Sequence, residues 1–274
     1  MKVALVSVCY NAYSDAIRFV ESVKNSLAIS SGIDLNFIMC DNSSVGDAVG
    51  LRETLEKYGF LYKKLDNIGY FPAFFEGVEE LKRLGKCAWD YVIVSNIDLQ
   101  LDVNFFSSLS NLTENEDVGV IAPSILSKQT GEDINPKIFK RPSAFKLKSL
   151  MYGFQNIYFY KSYVALSVKK AEARGKRKEL HYSTGQPMYA AHGSVMIFTK
   201  SYFDKGATIF YPRFLFGEEV FVAEEARRKG LKTVYRPELV IYDNEHGSTS
   251  KINDGFISME HVKSYKFLIN NYFS

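Results

Sequence analysis

The side chains best suited to chemistry in this sequence stand where short apolar, β-rich runs stop. Ser95-Asn96-Ile97-Asp98 ends one such run, and a carboxylate there can hold Mg2+ or Mn2+ while leaving coordination positions to diphosphate oxygens and water. The same Asn and Asp can equally cap the turn that follows. Cys40-Asp41-Asn42-Ser43-Ser44 ends another run, where Asp41 either caps a turn or accepts a hydrogen bond from a base ring N–H. Together with Asn67 after a third run, these residues form a set of oxygen ligands suited to a nucleotide and a hard cation. Phe216-Gly217-Glu218-Glu219 opens a helix, where paired acids favour the dipole and Gly217 permits close approach of backbone and substrate. Adjacent acids point in different directions, so one can orient through local hydrogen bonds while the other faces a cleft as general base toward a hydroxyl. His246, in Asp243-Asn244-Glu245-His246-Gly247-Ser248, offers an imidazole to a metal or a phosphate and pairs with Asp98 as a carboxylate-plus-imidazole set.

Other chemistries lack their residues. Cys9-Tyr10-Asn11-Ala12 ends the first run without a glycine, and no Walker loop occurs, which argues against hydride transfer and P-loop phosphoryl transfer. There is no HExxH spacing and no cysteine cluster, so a structural or protease-type zinc site is not expected. Cys9, Cys40 and Cys87 are odd in number and widely spaced, and read as reduced core thiols of a cytoplasmic protein. His181, His192 and His261 read as structural or solvent-facing, with His192-Gly193-Ser194 also able to line an acceptor groove.

The elements that must position these groups follow an alternating rhythm. Val3 to Val8, Leu35 to Met39, Phe60 to Leu65 and Tyr91 to Val94 read as strands; Ile17 to Leu27, Asp47 to Tyr58 and Phe74 to Leu84 read as helices between them. That pattern predicts an α/β fold with a mixed, mainly parallel central sheet flanked by helices. Ligands of open α/β sheets bind outside the carboxyl ends of the strands, where the polar residues named above lie. From Pro123 to residue 188 the sequence becomes irregular, aromatic and basic, with Tyr152, Phe154, Tyr158, Phe159, Tyr160 and Tyr163 ahead of the basic run Lys169 to Lys178, and reads as an insertion or lid. The run is either a solvated face or a contact for phosphate groups of a lipid-linked acceptor or an anionic membrane surface. Regular structure resumes with strand Ser194 to Phe198, a helix from Glu218 to Lys229, strands Thr233 to Tyr235 and Leu239 to Tyr242, and a last amphipathic helix carrying Met259, Val262, Lys266, Ile269 and Phe273.

The whole-chain balance fits this reading. The 274 residues allow one large domain or two intimate ones; a net charge of +3 with 46% hydrophobic and 24% charged residues is that of an ordinary globule and argues against a polybasic nucleic-acid binder. The opening apolar run stops at Asn11, short of a leader, and no stretch approaches the roughly 18 apolar residues of a membrane span.

The order of these motifs resembles glycosyltransferase family 2, inverting enzymes of the GT-A fold, and within it the rhamnosyltransferase-like branch that builds bacterial surface polysaccharides such as O-antigen or capsule. The resemblance covers about residues 3 to 122 and 188 to 250. Val6-Ser7-Val8-Cys9-Tyr10-Asn11 resembles the opening strand and nucleotide-contacting turn, Asp41 the base-binding aspartate, Asn67-Ile68-Gly69-Tyr70 the Asn-x-Gly stretch near the donor, and Asn96-Ile97-Asp98 the metal motif. His192-Gly193-Ser194 resembles the turn before the acceptor site, Phe216-Gly217-Glu218-Glu219 the segment carrying the base, and His246-Gly247-Ser248 the late metal-binding histidine.

The resemblance implies a single GT-A domain with a nucleotide-sugar-binding half (1–122), the insertion (123–188), an acceptor and catalytic half (189–250) and a C-terminal helix (251–274). Within it Cys9, Tyr10, Asn11, Asp41, Asn67, Gly69 and Asn96 would bind the nucleotide, Asp98 and His246 a Mn2+ or Mg2+ ion, and His192, Gly193, Ser194 and Phe216 the acceptor. Glu219, or Glu218, would be the base. The implied donor is a UDP- or dTDP-sugar and the acceptor a glycan or lipid-linked glycan, at the cytoplasmic side and in peripheral contact with the membrane, with no nucleic acid partner. Aromatic residues of 152–163 and Phe210, Tyr211, Phe214 and Phe216 are candidates to stack on the acceptor sugar. The chain departs from the family in having Glu219 where Asp is usual, Cys9 for a smaller residue or proline, and Phe74-Phe75-Glu76 for an Ala-Asn-rich turn. Two other classes compete: a nucleotidyltransferase, which would need a glycine-rich, Arg-containing loop after the first strand, and a non-catalytic nucleotide- or sugar-binding module, in which Asp98, Glu219 and His246 would be replaceable.

Overall fold

A computed structural model describes residues 1–136, 138–175, 182–244 and 253–273. The chain runs β1 (Lys2–Cys9), α1 (Tyr13–Ala28), β2 (Asp34–Asp41), α2 (Val49–Lys57), β3 (Leu61–Lys64), α3 (Tyr70–Arg83), β4 (Tyr91–Asn96), β5 (Leu99–Leu101), α4 (Phe105–Ser110) and β6 (Val118–Ser127). It continues through α5 (Ala144–Gly153), α6 (Ile157–Gly175), β7 (Pro187–Met188), β8 (Val195–Thr199), α7 (Lys200–Asp204), α8 (Glu218–Arg228), β9 (Lys232–Asp243) and α9 (Asp254–Tyr272). Among the described residues, nine strands form one sheet in the order β3-β2-β1-β4-β8-β6-β9-β5, with β7 beside β9.

The first half is parallel, as its crossover pattern requires: β1 pairs with β2 and β4, and β2 with β3, all in the same direction. Both faces of β1 are covered, so Val3 to Cys9 is buried without alternation. One face packs on α1 through Ala16, Phe19, Val20 and Val23, spaced to share a single helical stripe. The other receives α3, whose Gly77 lies so close to the sheet that a Cβ there would stand 2.5 Å from Val6 Cγ1 and 2.9 Å from Cys40 Sγ. That close approach fixes the start of α3 over the ends of β1 and β2. Strand order reverses between β1 and β4, and the crevice of the fold opens at their carboxyl ends.

The second half alternates direction, so the sheet as a whole is mixed: β8 is antiparallel to β4 and β6, β6 is parallel to β9, and β5 is antiparallel to β9. The strands expected at 233–235 and 239–242 are one element, β9, with a register shift opposite Pro123 and Ser124 that absorbs the interruption. β6 carries the sheet past residue 122 to Ser127, and the stretch read as irregular contains the helix pair α5 and α6, packed against α9. Cys9 and Cys40 are core thiols as expected, pushed up to about 11 and about 12 chiefly by burial, whereas Cys87 is exposed.

Candidate active site

The crevice at the β1–β4 reversal is a cleft of about 670 Å3. Its floor comes from strand ends: Tyr10 after β1, Asn96 and Asp98 after β4, and the turn His192-Gly193-Ser194 leading into β8. That turn is locked to β4 because the Asn96 amide donates to Ser194 O at 2.8 Å. It is also held from behind, where the His192 amide donates to Asn135 Oδ1 at 3.1 Å and Asn135 Nδ2 donates to Pro123 O at 3.0 Å. Asp98 is held through its backbone, its carbonyl accepting from Asn244 N at 3.2 Å and Nδ2 at 3.0 Å.

One wall is the segment before α8. Phe216 and Gly217 both take left-handed backbone, φ 67° and 84°, a conformation costly for phenylalanine and free for glycine. Clamps on three sides hold it. Tyr211 Oη donates to Phe216 O at 2.9 Å, Ser264 Oγ donates to Leu215 O at 2.8 Å, and the Phe216 ring stacks on His261 at 3.9 Å. From the start of α3, Gly69 touches the same segment: a Cβ at 69 would lie 2.3 Å from Phe214 O, and the Tyr70 amide donates to that oxygen at 3.2 Å.

The turn thus delivers Glu218 and Glu219 into the cleft beside Gly193. A Cβ at 193 would stand 3.1 Å from Glu218 Oε1 and 2.9 Å from Glu219 Oε1, so the two carboxylates converge where that side chain is missing. Burial, and then the neighbouring Glu219, push the Glu218 carboxyl up to about 8, overcoming the helix N-terminus that would keep it ionised. Asp98 completes a group of three: the buried Tyr70 hydroxyl is raised well above its ordinary value by burial and by Glu218, Asp98 and Glu219 together.

Two of the polar atoms left without partners in the protein interior lie on this cleft, Tyr70 Oη and Asn42 Oδ1. Buried polar atoms are nearly always paired, so two without a partner among the described residues, both on residues that line one cleft, are exceptions concentrated at this site. Asn42 is turned by its own amide, which donates to Gly69 O at 2.9 Å and leaves Oδ1 facing the other way.

Of the residues singled out in the sequence, the cleft brings together Tyr10, Asn67, Gly69, Asn96, Asp98, His192, Gly193, Ser194, Phe216, Glu218 and Glu219. Three nucleotide candidates, Cys9, Asn11 and Asp41, are not among its lining residues. Asp41 is buried, its Oδ2 accepting from Tyr62 Oη at 2.6 Å, Tyr13 Oη at 3.3 Å and Lys64 Nζ at 3.3 Å, and its Oδ1 from the Ser43 amide at 2.9 Å. Burial would raise this carboxyl, but the hydrogen bonds from Ser43, Tyr62 and Lys64 outweigh it and hold it below its usual range. The side chain is buried among these partners, and its neighbour Asn42 lines the cleft. Asn11 Oδ1 accepts from the Ser44 and Val45 amides and fixes the turn, and Cys9 is buried against Ser43. His246, like His181 and Lys176 to Lys178, lies outside the described residues. Phe214 and Phe216 line the cleft, whereas Tyr211 is core, Phe210 packs on Phe75 away from it, and none of the aromatic residues of 152–163 lines it: Tyr152 faces a separate groove beside α9, and Phe159, Tyr160 and Tyr163 pack on Phe154. Sequence reading passed over Asp15, Asn253 and Phe256, which also line it. Asn253 caps α9, and nothing in the local sequence places that helix start at a crevice between β1 and β4.

No group of three or more metal-ligating side chains occurs among the described residues. Asp98 with Asn96 nevertheless fits a cation that shares its coordination sphere with diphosphate oxygens and water, since such an ion needs few protein ligands.

The architecture is the GT-A fold of glycosyltransferases. The solved structures similar to this chain include S. aureus TarS, at a TM-score of 0.57 and 10% identity over 99% of this chain and 40% of that one. They include also GalNAc-T7 with UDP, GalNAc and Mn2+, at 0.60 and 13% identity over 99% of this chain and 49% of that one. A shorter form, S. aureus TarS 1–349, matches at 0.53 and 11% identity over 98% of this chain and 66% of the other. The chain therefore spans about half the length of the first two. No family model and no curated protein sequence matches it.

Proposed function

We propose that this protein is an inverting glycosyltransferase that moves a sugar from a nucleoside diphosphate to an acceptor hydroxyl. The observation that carries the reading is that Asp98, the paired Glu218 and Glu219, and Tyr70 all line one cleft at the strand-order reversal of a GT-A fold. GalNAc-T7, similar in fold, carries UDP and Mn2+.

In this reading the raised Glu218 carboxyl is the orienting acid and Glu219 the general base. Glu219 takes the proton of the acceptor hydroxyl as its oxygen forms a bond to the anomeric carbon. The bond from that carbon to the diphosphate oxygen breaks on the opposite face, and the electron pair leaves with the diphosphate. Asn96 and Asp98 would hold a divalent cation, which supplies charge neutralisation at the leaving diphosphate when bound. Asn42 Oδ1 would accept from the nucleotide, and Tyr70 Oη would donate to a donor oxygen. Phe214 and Phe216 would carry the acceptor sugar face and exclude water. The motif resemblance adds UDP or dTDP as the nucleotide, a deoxyhexose such as rhamnose as the sugar, and a bacterial surface glycan as the acceptor.

The experiment is a panel of sugar nucleotides assayed for hydrolysis and transfer with and without Mn2+ or Mg2+, on the wild type, Glu219→Gln and Asp98→Asn. Turnover of one donor, lost in both variants, supports the reading. A chain that binds a nucleotide but turns over none, or a Glu219→Gln variant at wild-type rate, overturns it.

A further inference from the structure

The strained turn that carries the paired acids is braced from behind by the last helix, α9, which lies outside the motifs that resemble a known family. Along α9, Ile257, His261, Ser264, Tyr265 and Leu268 recur at helical spacing and share one face. Three of them meet residues 215 to 217. Ser264 Oγ donates to Leu215 O at 2.8 Å, and a Cβ at Gly217 would stand 3.1 Å from Leu268 Cδ1 and 3.4 Å from Ser264 Cβ. The His261 ring lies flat on Phe216, with centroids 3.9 Å apart and planes 15° from parallel. The acids act on the same face: the Tyr265 hydroxyl is raised by burial, then by Tyr163 and by the charge of Glu219.

Core packing alone does not account for a histidine at 261. Its Nδ1 is buried and meets no hydrogen-bonding partner among the described residues, which costs stability that an apolar ring would not. Burial pushes the imidazole down to about 4, so the ring is uncharged at neutral pH. Phe154, Tyr160 and Tyr265 stand around it with centroids at 5.5, 6.1 and 5.7 Å, and it sits between this cluster and Phe216. Phe216 is the second costly residue, because a side chain with a Cβ rarely takes φ 67°. The strain of such a residue and the worth of one aromatic stack or one hydrogen bond are of the same order. Loss of a single clamp therefore leaves the turn without surplus stabilisation.

We propose that His261 is a positioning residue: its ring face holds Phe216 in the left-handed conformation and, through that turn, fixes the direction in which Glu218 and Glu219 enter the cleft. The role belongs to the flat face of the ring, because the contact with Phe216 is face to face and His261 is not among the residues lining the cleft. Asn42, Asn96 and Asp98, which would hold the donor, belong to other elements, so a released turn should slow the chemical step and leave donor binding as it was. The inference rests on the transferase reading for this kinetic consequence, whereas the geometry it asserts can be read without turnover.

The test compares His261→Leu, which fills the site without a flat face, with His261→Phe, which keeps one. Steady-state release of nucleoside diphosphate should show kcat about tenfold lower in His261→Leu at an unchanged donor KM, and within about twofold of wild type in His261→Phe. In a Phe216→Gly background, where a positive φ costs nothing, His261→Leu should lower kcat no further. That comparison stands even where the larger phenylalanine ring fails to pack. Crystal structures of the variants read the geometry: Phe216 should leave its left-handed conformation in His261→Leu and keep it in His261→Phe. A folded His261→Phe as slow as His261→Leu, a loss from His261→Leu that persists in Phe216→Gly, or a leucine variant with Phe216 and both carboxylates unmoved overturns the proposal. A wild type that turns over no donor would refute the proposed function, and the crystal structures then decide the positioning role by themselves.

Discussion

Gly193→Ala perturbs the carboxylate pair without touching either glutamate. The added Cβ would stand 2.9 Å from Glu219 Oε1, 3.1 Å from Glu218 Oε1 and 3.2 Å from Glu219 Cδ, against an ordinary contact of 3.4 Å or more. The atoms in the way are the ends of flexible side chains, so they give before the backbone does, and the nearer carboxylate retreats by about 0.5 Å. A misplacement of about 1 Å at a reacting group costs on the order of a hundredfold, so half of that predicts a kcat lowered roughly tenfold. Stability should barely move, because alanine at a position with ordinary backbone recovers about 0.4–1 kcal/mol of unfolded-state entropy that offsets the crowding. The assay is steady-state release of nucleoside diphosphate, with a thermal melt on the same preparation. An unchanged kcat, a loss confined to KM, or a melting temperature lower by more than about 10 °C would refute the claim that Gly193 serves the positions of the pair rather than the fold.

Tyr70→Phe removes a buried hydroxyl that has no partner, so the free protein should melt at the same temperature or higher, while affinity for the nucleotide donor drops roughly five- to tenfold, as for one lost hydrogen bond; isothermal titration and thermal melts read both effects. Gly69→Ala combines φ 97° with a Cβ 2.3 Å from the backbone oxygen of Phe214, and should cost at least about 3 kcal/mol in chemical denaturation. The Glu218 carboxyl is raised to about 8 in the folded state, above its unfolded value, so the folded chain binds the extra proton and stability falls as pH rises between the two values. Glu218→Gln should therefore flatten that fall, raising the melting temperature relative to wild type more at about pH 8 than at about pH 5. Nucleoside diphosphate should stabilise the wild type against heat only with Mn2+ or Mg2+ present, and Asp98→Asn should abolish that dependence.

The parallel half of the fold is legible because period and burial agree there: β1 is a continuous apolar run covered on both faces, and α1 shows one stripe. Legibility fails where tertiary contacts carry the stabilisation. α5 and α6 have no continuous apolar face of their own; Leu150, Phe154 and Tyr160 are buried against each other, Phe216 and α9, so their sequence reads as irregular. β5 is three residues long and gains its strand character from pairing with β9. Asp41 shows the same limit at the site. Its position after β2 is visible in the chain, but its saturation by Tyr13, Tyr62 and Lys64 comes from residues 21 to 28 positions away that no local pattern connects.

What the sequence by itself determined is which polar residues stand at strand ends, because alternation of apolar runs and helical stripes is a local property, and ends of runs are visible wherever Asn96, Asp98 or the Phe216-to-Glu219 turn interrupts them. Only the tertiary structure decided which of them meet. Glu218 and Glu219 converge because Gly193, some 25 positions upstream, leaves a side-chain volume open, and because Gly69 lets the 214–217 segment close over α3. Such steric vacancies act across the sheet between residues remote in sequence, and a carboxylate acquires its protonation state from the neighbours that close packing brings to it.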